Sequence, residues 1–264
     1  MRRLATGREA EIYEWGPGRV LRLLRDPLGG ESLDEVGALA EAARAAGVAT
    51  PALLGRAEVA GRRGQVLERV DGVDHFTVLA RRPWLAGSLA RELGRVQARM
   101  HAVHLDDGFR SVHAIVRRRL TSPFVPAEVA AVAETALQRL PDGDTLCHGA
   151  LHPGNLLRTA DRTVVIDWTG AARGAPRADL ARTVLMLRVA AVADGTPAVV
   201  RHLVGPLRRG FARRTLDAYA AAATVDRAQL DAWIPVRAAD RLADGVAEER
   251  ASLLELSRQL RATS

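Results

Sequence analysis

The hydrophobic period of this 264-residue chain changes once, around Asp71-Gly72-Val73-Asp74, and few architectures accommodate such a change. Before it the apolar residues fall in short extended runs. Glu11 to Trp15 and Val20 to Leu24 flank Gly16-Pro17-Gly18, a composition that suits a tight turn, so the segment predicts a hairpin. A second pair, Leu53 to Val59 and Gln65 to Val70, flanks Gly61-Arg62-Arg63-Gly64. Between the pairs, Ser32 to Ala46 is rich in Ala, Leu and Glu; Gly47 stands where a helix C-cap would sit and Pro51 follows. After the change, Leu89, Leu93, Val96, Met100 and Val103 recur at threes and fours behind Ser88, a suitable N-cap, and predict a long helix. The remainder is expected to be helical except for Leu156-Leu157-Arg158 and Thr163-Val164-Val165-Ile166, two strands joined by the polar turn Thr159 to Arg162. The expected fold is α+β: a small antiparallel sheet with one helix over residues 1–72, and a larger, mainly helical lobe over 73–264.

Hydrophobic residues at 48% suffice for a buried core, and aromatics at 4% make that core aliphatic. Lysine is absent, so all 38 basic residues are arginines, set against 31 acids for a net charge of +7. The arginines are scattered among acids, and short clusters such as Arg117-Arg118-Arg119 and Arg208-Arg209 read as solvated helical faces; nucleic acid is not an expected partner. The lone Cys147 excludes an intramolecular disulfide and a multi-cysteine zinc site, in keeping with a reducing compartment. No apolar run follows the basic start, and none approaches the roughly 18 residues that span a bilayer, so a cytoplasmic protein without membrane attachment is expected.

The stretch richest in chemistry is His148-Gly149-Ala150-Leu151-His152-Pro153-Gly154-Asn155, followed twelve residues later by Asp167 in Val164-Val165-Ile166-Asp167-Trp168. The intervening hairpin folds back and sets Asn155 beside Asp167. An amide oxygen and a carboxylate there suit a hard cation such as Mg²⁺, which takes oxygen ligands and shares them with substrate phosphates. The neighbours Cys147 and His148 suggest a nucleophile and base, but adjacent side chains on a strand point to opposite faces. Cys147 is expected to be buried, and His152 to brace the loop through hydrogen bonds.

At these residues the sequence resembles the aminoglycoside phosphotransferase and choline kinase-like family, small-molecule kinases with the protein-kinase fold, whose catalytic loop reads H-G-D-x-x-x-x-N before a strand and a metal-binding Asp. Thr6-Gly7-Arg8-Glu9-Ala10-Glu11-Ile12-Tyr13 resembles the family's nucleotide loop, Val20-Leu21-Arg22-Leu23 the strand with its phosphate-binding cation, and Leu67-Glu68-Arg69-Val70-Asp71-Gly72 the hinge. Gly174-Ala175-Pro176-Arg177-Ala178-Asp179-Leu180-Ala181 is similar to the segment whose second acid anchors the helical lobe. The resemblance implies ATP and Mg²⁺ as cofactors, Asn155 and Asp167 as metal ligands, Gly7 and Arg22 at the phosphates, hinge backbone of Glu68 and Val70 at adenine, and His148 as a brace of the catalytic loop.

Three positions depart from the family pattern. Ala150 stands where the catalytic Asp would accept the acceptor's proton, and a methyl group cannot do so. Asp142 and Asp144 precede the motif and would need an unusual path to replace it. Arg22 replaces the usual lysine with a bulkier, planar cation. Val36 falls where a helix glutamate normally pairs with that cation, with Glu35 one residue, about 100°, around the helix.

The acceptor region implied by the resemblance offers Asp231, Trp233, Asp240, Asp244, Glu248 and Glu249. Asp240, Asp244 and Glu248 share one face if the helix is continuous and could draw an amine, whereas Arg237, Arg241 and Arg250 among them make a solvated, ion-paired face the simpler expectation. Trp233 is expected in the core. The expected function is ATP-dependent phosphoryl transfer to a hydroxyl of a small molecule, with the base missing at Ala150; the alternative is a nucleotide-binding pseudokinase acting through a partner.

Overall fold

A computed structural model of the chain describes residues 1–7, 9–25, 32–189 and 198–262, so Arg8 of the nucleotide-loop segment lies outside the described residues. The fold is α+β. Strands β1 (Arg3–Thr6), β2 (Ala10–Glu14), β3 (Arg19–Leu24), β4 (Leu53–Val59) and β5 (Arg62–Glu68) form one antiparallel sheet in the order β1-β2-β3-β5-β4. The β2–β3 hairpin closes at Gly16-Pro17-Gly18, where both glycines take positive φ, +86° and +65°, conformations that a side chain would disfavour. The second hairpin turns at Ala60-Gly61 with Val59 opposite Arg62, not over Gly61 to Gly64. Two consecutive positive φ values fit the right-handed twist of the strands, so Arg62 and Arg63 join the ladder and β5 ends before Arg69.

Helix α1 (Leu33–Ala45) starts at Ser32, whose Oγ accepts the Glu35 N–H at 3.2 Å, and stops at Gly47, where φ is +81°. Its face of Leu33, Val36, Leu39 and Ala43 is buried. From α1 the core continues through Val48 into Leu93, Val96, Met100, Leu146, Leu151, Leu156 and Trp168, so the helix ties the sheet to the helical body.

The next elements are β6 (Val73–Asp74), α2 (His75–Arg81), α3 (Ala86–Met100), α4 (Val112–Leu120), α5 (Ala127–Arg139), β7 (Thr145–Cys147), β8 (Leu156–Arg158), β9 (Thr163–Val165), β10 (Ala172–Gly174), α6 (Pro176–Val189), α7 (Ala198–Ala220), α8 (Arg227–Leu242) and α9 (Ala247–Arg258). Helix α3 begins two residues before Ser88; its cap, Leu85, makes no side-chain bond, and Ser88 Oγ donates to the Leu85 carbonyl at 2.8 Å. Strands β7 and β10 pair antiparallel, as do β6 with β8 and β8 with β9. Three-residue strands such as β7 and β10 are too short to show a period and leave no signature in the sequence. No helix among the described residues is long and apolar enough to cross a membrane.

Candidate active site

The β8–β9 hairpin pairs Leu156 with Val165, and one step further the Ile166 N–H donates to the Asn155 carbonyl at 3.0 Å, which brings Asp167 to the same end. Asn155 Nδ2 donates to the Ala150 carbonyl at 2.9 Å. That bond turns the amide nitrogen toward the loop and leaves Oδ1 as a donor atom for a ligand. Asp167 takes a left-handed backbone (φ 62°, ψ 67°), a conformation costing on the order of 1–3 kcal/mol in a non-glycine residue and concentrated at functional sites. The turn reverses the chain so that Thr169 Oγ1 donates back to Asp167 Oδ1 at 2.7 Å.

Opposite this pair stands Arg22 of β3. Its Nη2 donates to Thr169 Oγ1 and lies 4.0 Å from Asp167 Oδ1, while its buried Nη1 has no partner among the described residues. A buried guanidinium nitrogen without an acceptor costs free energy, and a phosphate oxygen in the cleft would satisfy it. Glu35 does not pair with Arg22. Its Oε1 accepts the Arg110 backbone N–H at 2.6 Å, and Arg110 in turn donates to the carbonyls of Ala171 (2.9 Å) and Thr169 (2.5 Å). Val36 lines the cleft in its stead.

Gly7, Arg22, Glu68, Val70, Ala150, Asn155 and Asp167 all line one cleft of about 800 Å³. Gly7 closes its loop through a 2.9 Å bond from its N–H to the Ala10 carbonyl. At the hinge, Glu68 N–H donates to Ala52 and Arg69 N–H to Gly18, whereas nothing among the described residues accepts the Val70 N–H. An unpaired backbone donor beside apolar Val20, Leu67 and Leu157 suits an edge-on heteroaromatic base. Glu9 hangs over the same cleft, and its carboxyl is pushed up by burial and by the charge of Asp167. Nothing in the sequence set Glu9 apart from its neighbours in the loop.

His148 lies beneath the loop, fully buried. Its Nε2 is 3.0 Å from the Ile166 carbonyl, its Nδ1 accepts the Ala150 N–H at 3.3 Å, and its ring packs on Trp168. Burial holds its pKa below the usual histidine range. His152 Nδ1 accepts the Gly154 N–H at 3.0 Å, its ring stacks on Phe76, and burial lowers its pKa to about 4. Asp179, at the start of α6, holds the loop from behind: Oδ1 accepts the Gly149 N–H at 2.7 Å, and Oδ2 accepts from His148 N–H (3.2 Å) and Gln97 Nε2 (3.0 Å), with His101 Nε2 at 3.1 Å. Burial opposes ionisation there, but the bond and charge of His101 and the other donors keep the carboxylate well below its ordinary pKa. Gly149, at φ +77°, is pressed so close to the Asp167 turn that a Cβ would lie 2.1 Å from the Gly170 carbonyl oxygen. Cys147 is buried, with its thiol pKa raised by that burial. Asp144 bonds His104 at the surface, and neither it nor Asp142 lines the cleft.

The helical wall differs from the sequence expectation. Helix α8 ends at Leu242 and Glu248 belongs to α9, so no continuous face carries Asp240, Asp244 and Glu248. Asp240 is fully buried rather than solvated, and it is held by Arg119, Arg182 (2.7 Å) and Arg237 (3.1 Å). Asp244 is held by Arg119 (2.7 Å), Arg241 (2.7 Å) and Arg182 (3.6 Å), and Glu249, not Glu248, takes both remaining arms of Arg241. Arg250 donates to the Phe124 carbonyl instead. Trp233 is in the core.

A small antiparallel sheet over a helical body, with oxygen donors and a cation facing each other across the cleft, defines a kinase-like phosphotransferase fold. The chain belongs to the phosphotransferase enzyme family, whose model matches residues 1–233. Solved structures of similar fold include a thermostable mutant of aminoglycoside phosphotransferase APH(4)-Ia, at 17% identity, covering 99% of this chain and 94% of that one with a TM-score of 0.66. A choline/ethanolamine kinase family protein from Mesorhizobium loti is 19% identical, covering 99% and 91%, with a TM-score of 0.63. The amicoumacin kinase hAmiN, solved with AMP-PNP, Ca²⁺ and Ami, is 14% identical, covering 98% and 87%, with a TM-score of 0.64. No curated protein sequence matches the chain.

Proposed function

We propose that this protein binds ATP with Mg²⁺ in the cleft between residues 1–72 and 73–264 and transfers the γ-phosphoryl group to a hydroxyl of a small molecule. The observation that carries the reading is the convergence of Asn155 Oδ1, the Asp167 carboxylate and the unpartnered Arg22 Nη1 on one cleft. Asn155 and Asp167 would hold the metal, which spreads the charge of the transferring phosphoryl group. Arg22 holds phosphate oxygens, the Val70 N–H meets the adenine edge, and His148 with Asp179 fixes the loop that presents Asn155. That hAmiN is solved with AMP-PNP and Ca²⁺ supports a nucleotide and a divalent ion here.

In this reading the acceptor oxygen attacks phosphorus, the bond to the ADP oxygen breaks, and the hydroxyl proton leaves to solvent or phosphate because Ala150 cannot take it. General-base catalysis contributes on the order of 10²–10⁴-fold, so turnover is slow rather than abolished. Ala150, together with the engagement of Glu35 by Arg110, favours the second reading, a pseudokinase that binds nucleotide and acts through a partner.

Thermal unfolding with and without Mg-ATP tests the binding claim: a saturable rise in midpoint is expected, and its absence removes both readings. Ala150→Asp with labelled ATP and a hydroxyl-compound panel tests the chemistry. A product formed faster than by the parent supports the transferase; none from a variant that still binds Mg-ATP leaves the pseudokinase.

A further inference from the structure

The end of the cleft beyond Ala150 is walled by α4, α6 and α8, which contribute Arg119, Arg182 with Met186, and Arg241, and by a single acid, Asp244, just past the end of α8. They line the same cleft as Ala150 and His152 of the loop. Behind them sit Asp240, Arg237 and Glu249, so four guanidiniums meet three carboxylates. Both Asp240 oxygens, both Asp244 oxygens and both Glu249 oxygens accept from arginine. The acids are thereby consumed as anchors that fix the arginine forks, and the buried Nε of Arg237 has no partner among the described residues. Every carboxylate oxygen of this wall already accepts from arginine, and the guanidiniums outnumber the acids that hold them by one, so the wall presents oriented N–H donors. Guanidinium forks bind carboxylate and phosphate groups bidentately. Of the other carboxylates lining the cleft, Glu9 on the nucleotide loop and Asp167 lie nearest this wall.

We propose that the acceptor of this protein is an anionic hydroxyl compound, bearing a carboxylate or phosphate group that docks on Arg119, Arg182 and Arg241, and not an amine or amino sugar. The proposal rests on the phosphotransferase reading for the identity of this end of the cleft as the acceptor side. It reverses the expectation that Asp240 and Asp244 would draw a cation.

Calorimetric titration of the full chain, held in saturating Mg-ADP so that Arg22 is occupied, tests it with four probes: glycerate, glycerol 3-phosphate, glycerol and ethanolamine. Saturable binding of at least one anion is expected, weakening as salt rises, with no heat from glycerol or ethanolamine; which anion binds distinguishes a carboxylate from a phosphate acceptor. Two variants locate the site. Arg119→Gln leaves Asp240 with two arginines, and Arg241→Met combined with Glu249→Gln leaves no unpaired buried charge; urea unfolding confirms that each is folded. Each is expected to weaken the anion about tenfold or more, the worth of one hydrogen bond to a charged group. Ethanolamine binding in preference to both anions, anion affinity unchanged in both folded variants, or no anion binding while Mg-ADP binds would each overturn the proposal, the last leaving the phosphotransferase reading intact. If Mg-ADP itself does not bind, the phosphotransferase reading falls and the acceptor assignment falls with it.

Discussion

Truncating Asp179 to alanine should cost this protein about 3–5 kcal/mol of stability, the range for removing one partner of a buried charged network. The structure supports that size from its parts. Asp179 is 1% exposed and its two oxygens face four donors: the backbone N–H groups of His148 and Gly149, Gln97 Nε2 and His101 Nε2. The two backbone donors alone, left buried without partners at about 1–3 kcal/mol each, reach the same range. His101 Nδ1 is in turn 2.7 Å from Tyr219 Oη, so the loss reaches from the loop through α3 to α7. Urea unfolding at pH 7 measures the change, read as a shift in midpoint at constant slope. The isosteric Asp179→Asn keeps the shape but turns an amide N–H₂ against donors, and it should fall between the parent and the alanine variant. Because the folded carboxyl titrates well below its ordinary value, its stabilisation is complete above about pH 4 and is lost as the pH falls further; Asp179→Ala should flatten the acid limb of the stability curve. A loss under about 1 kcal/mol for Asp179→Ala would refute the view that this carboxylate holds the loop.

Gly94→Ala should destabilise the fold by about 1–3 kcal/mol despite alanine's better helix propensity, because the new Cβ would lie 2.2 Å from the Thr215 carbonyl oxygen where α3 crosses α7. A higher unfolding midpoint would show that the helices separate freely. His152 remains neutral in the folded protein down to about pH 4, whereas in the unfolded chain it takes a proton near 6.5. Stability from this group is therefore full above pH 6.5 and declines as pH falls toward 4; the slope of unfolding free energy over that window should be smaller in His152→Gln, and an unchanged slope would place the titration elsewhere.

The features legible in the sequence were those carried by local pattern. Ser32 and Gly47 bracket α1 because an N-cap hydroxyl and a left-handed glycine act on backbone groups within a few residues. The β8–β9 hairpin, and with it the placement of Asn155 and Asp167 at one end, follows from two short apolar runs around a polar turn. Local pattern misplaced the β4–β5 turn because glycines at both ends of Gly61-Arg62-Arg63-Gly64 could each serve a turn; cross-strand register chose the tighter one. It also gave no sign of β7 and β10, which exist only because distant segments meet.

Charge shows the same division. The residue types alone set an arginine-rich, lysine-free chain with a methyl group at Ala150 and oxygen donors at Asn155 and Asp167. Which arginine meets which acid was decided by packing: Arg110 takes Glu35, a buried nitrogen of Arg22 is left without a partner among the described residues, and Arg119 and Arg182, far away in the chain, close on Asp240. Spacing along a chain determines what neighbours in one helix or hairpin can do, because their geometry is set by the backbone repeat. Ion pairs and clefts depend on side chains brought together over tens of residues, and only the assembled core sets those distances.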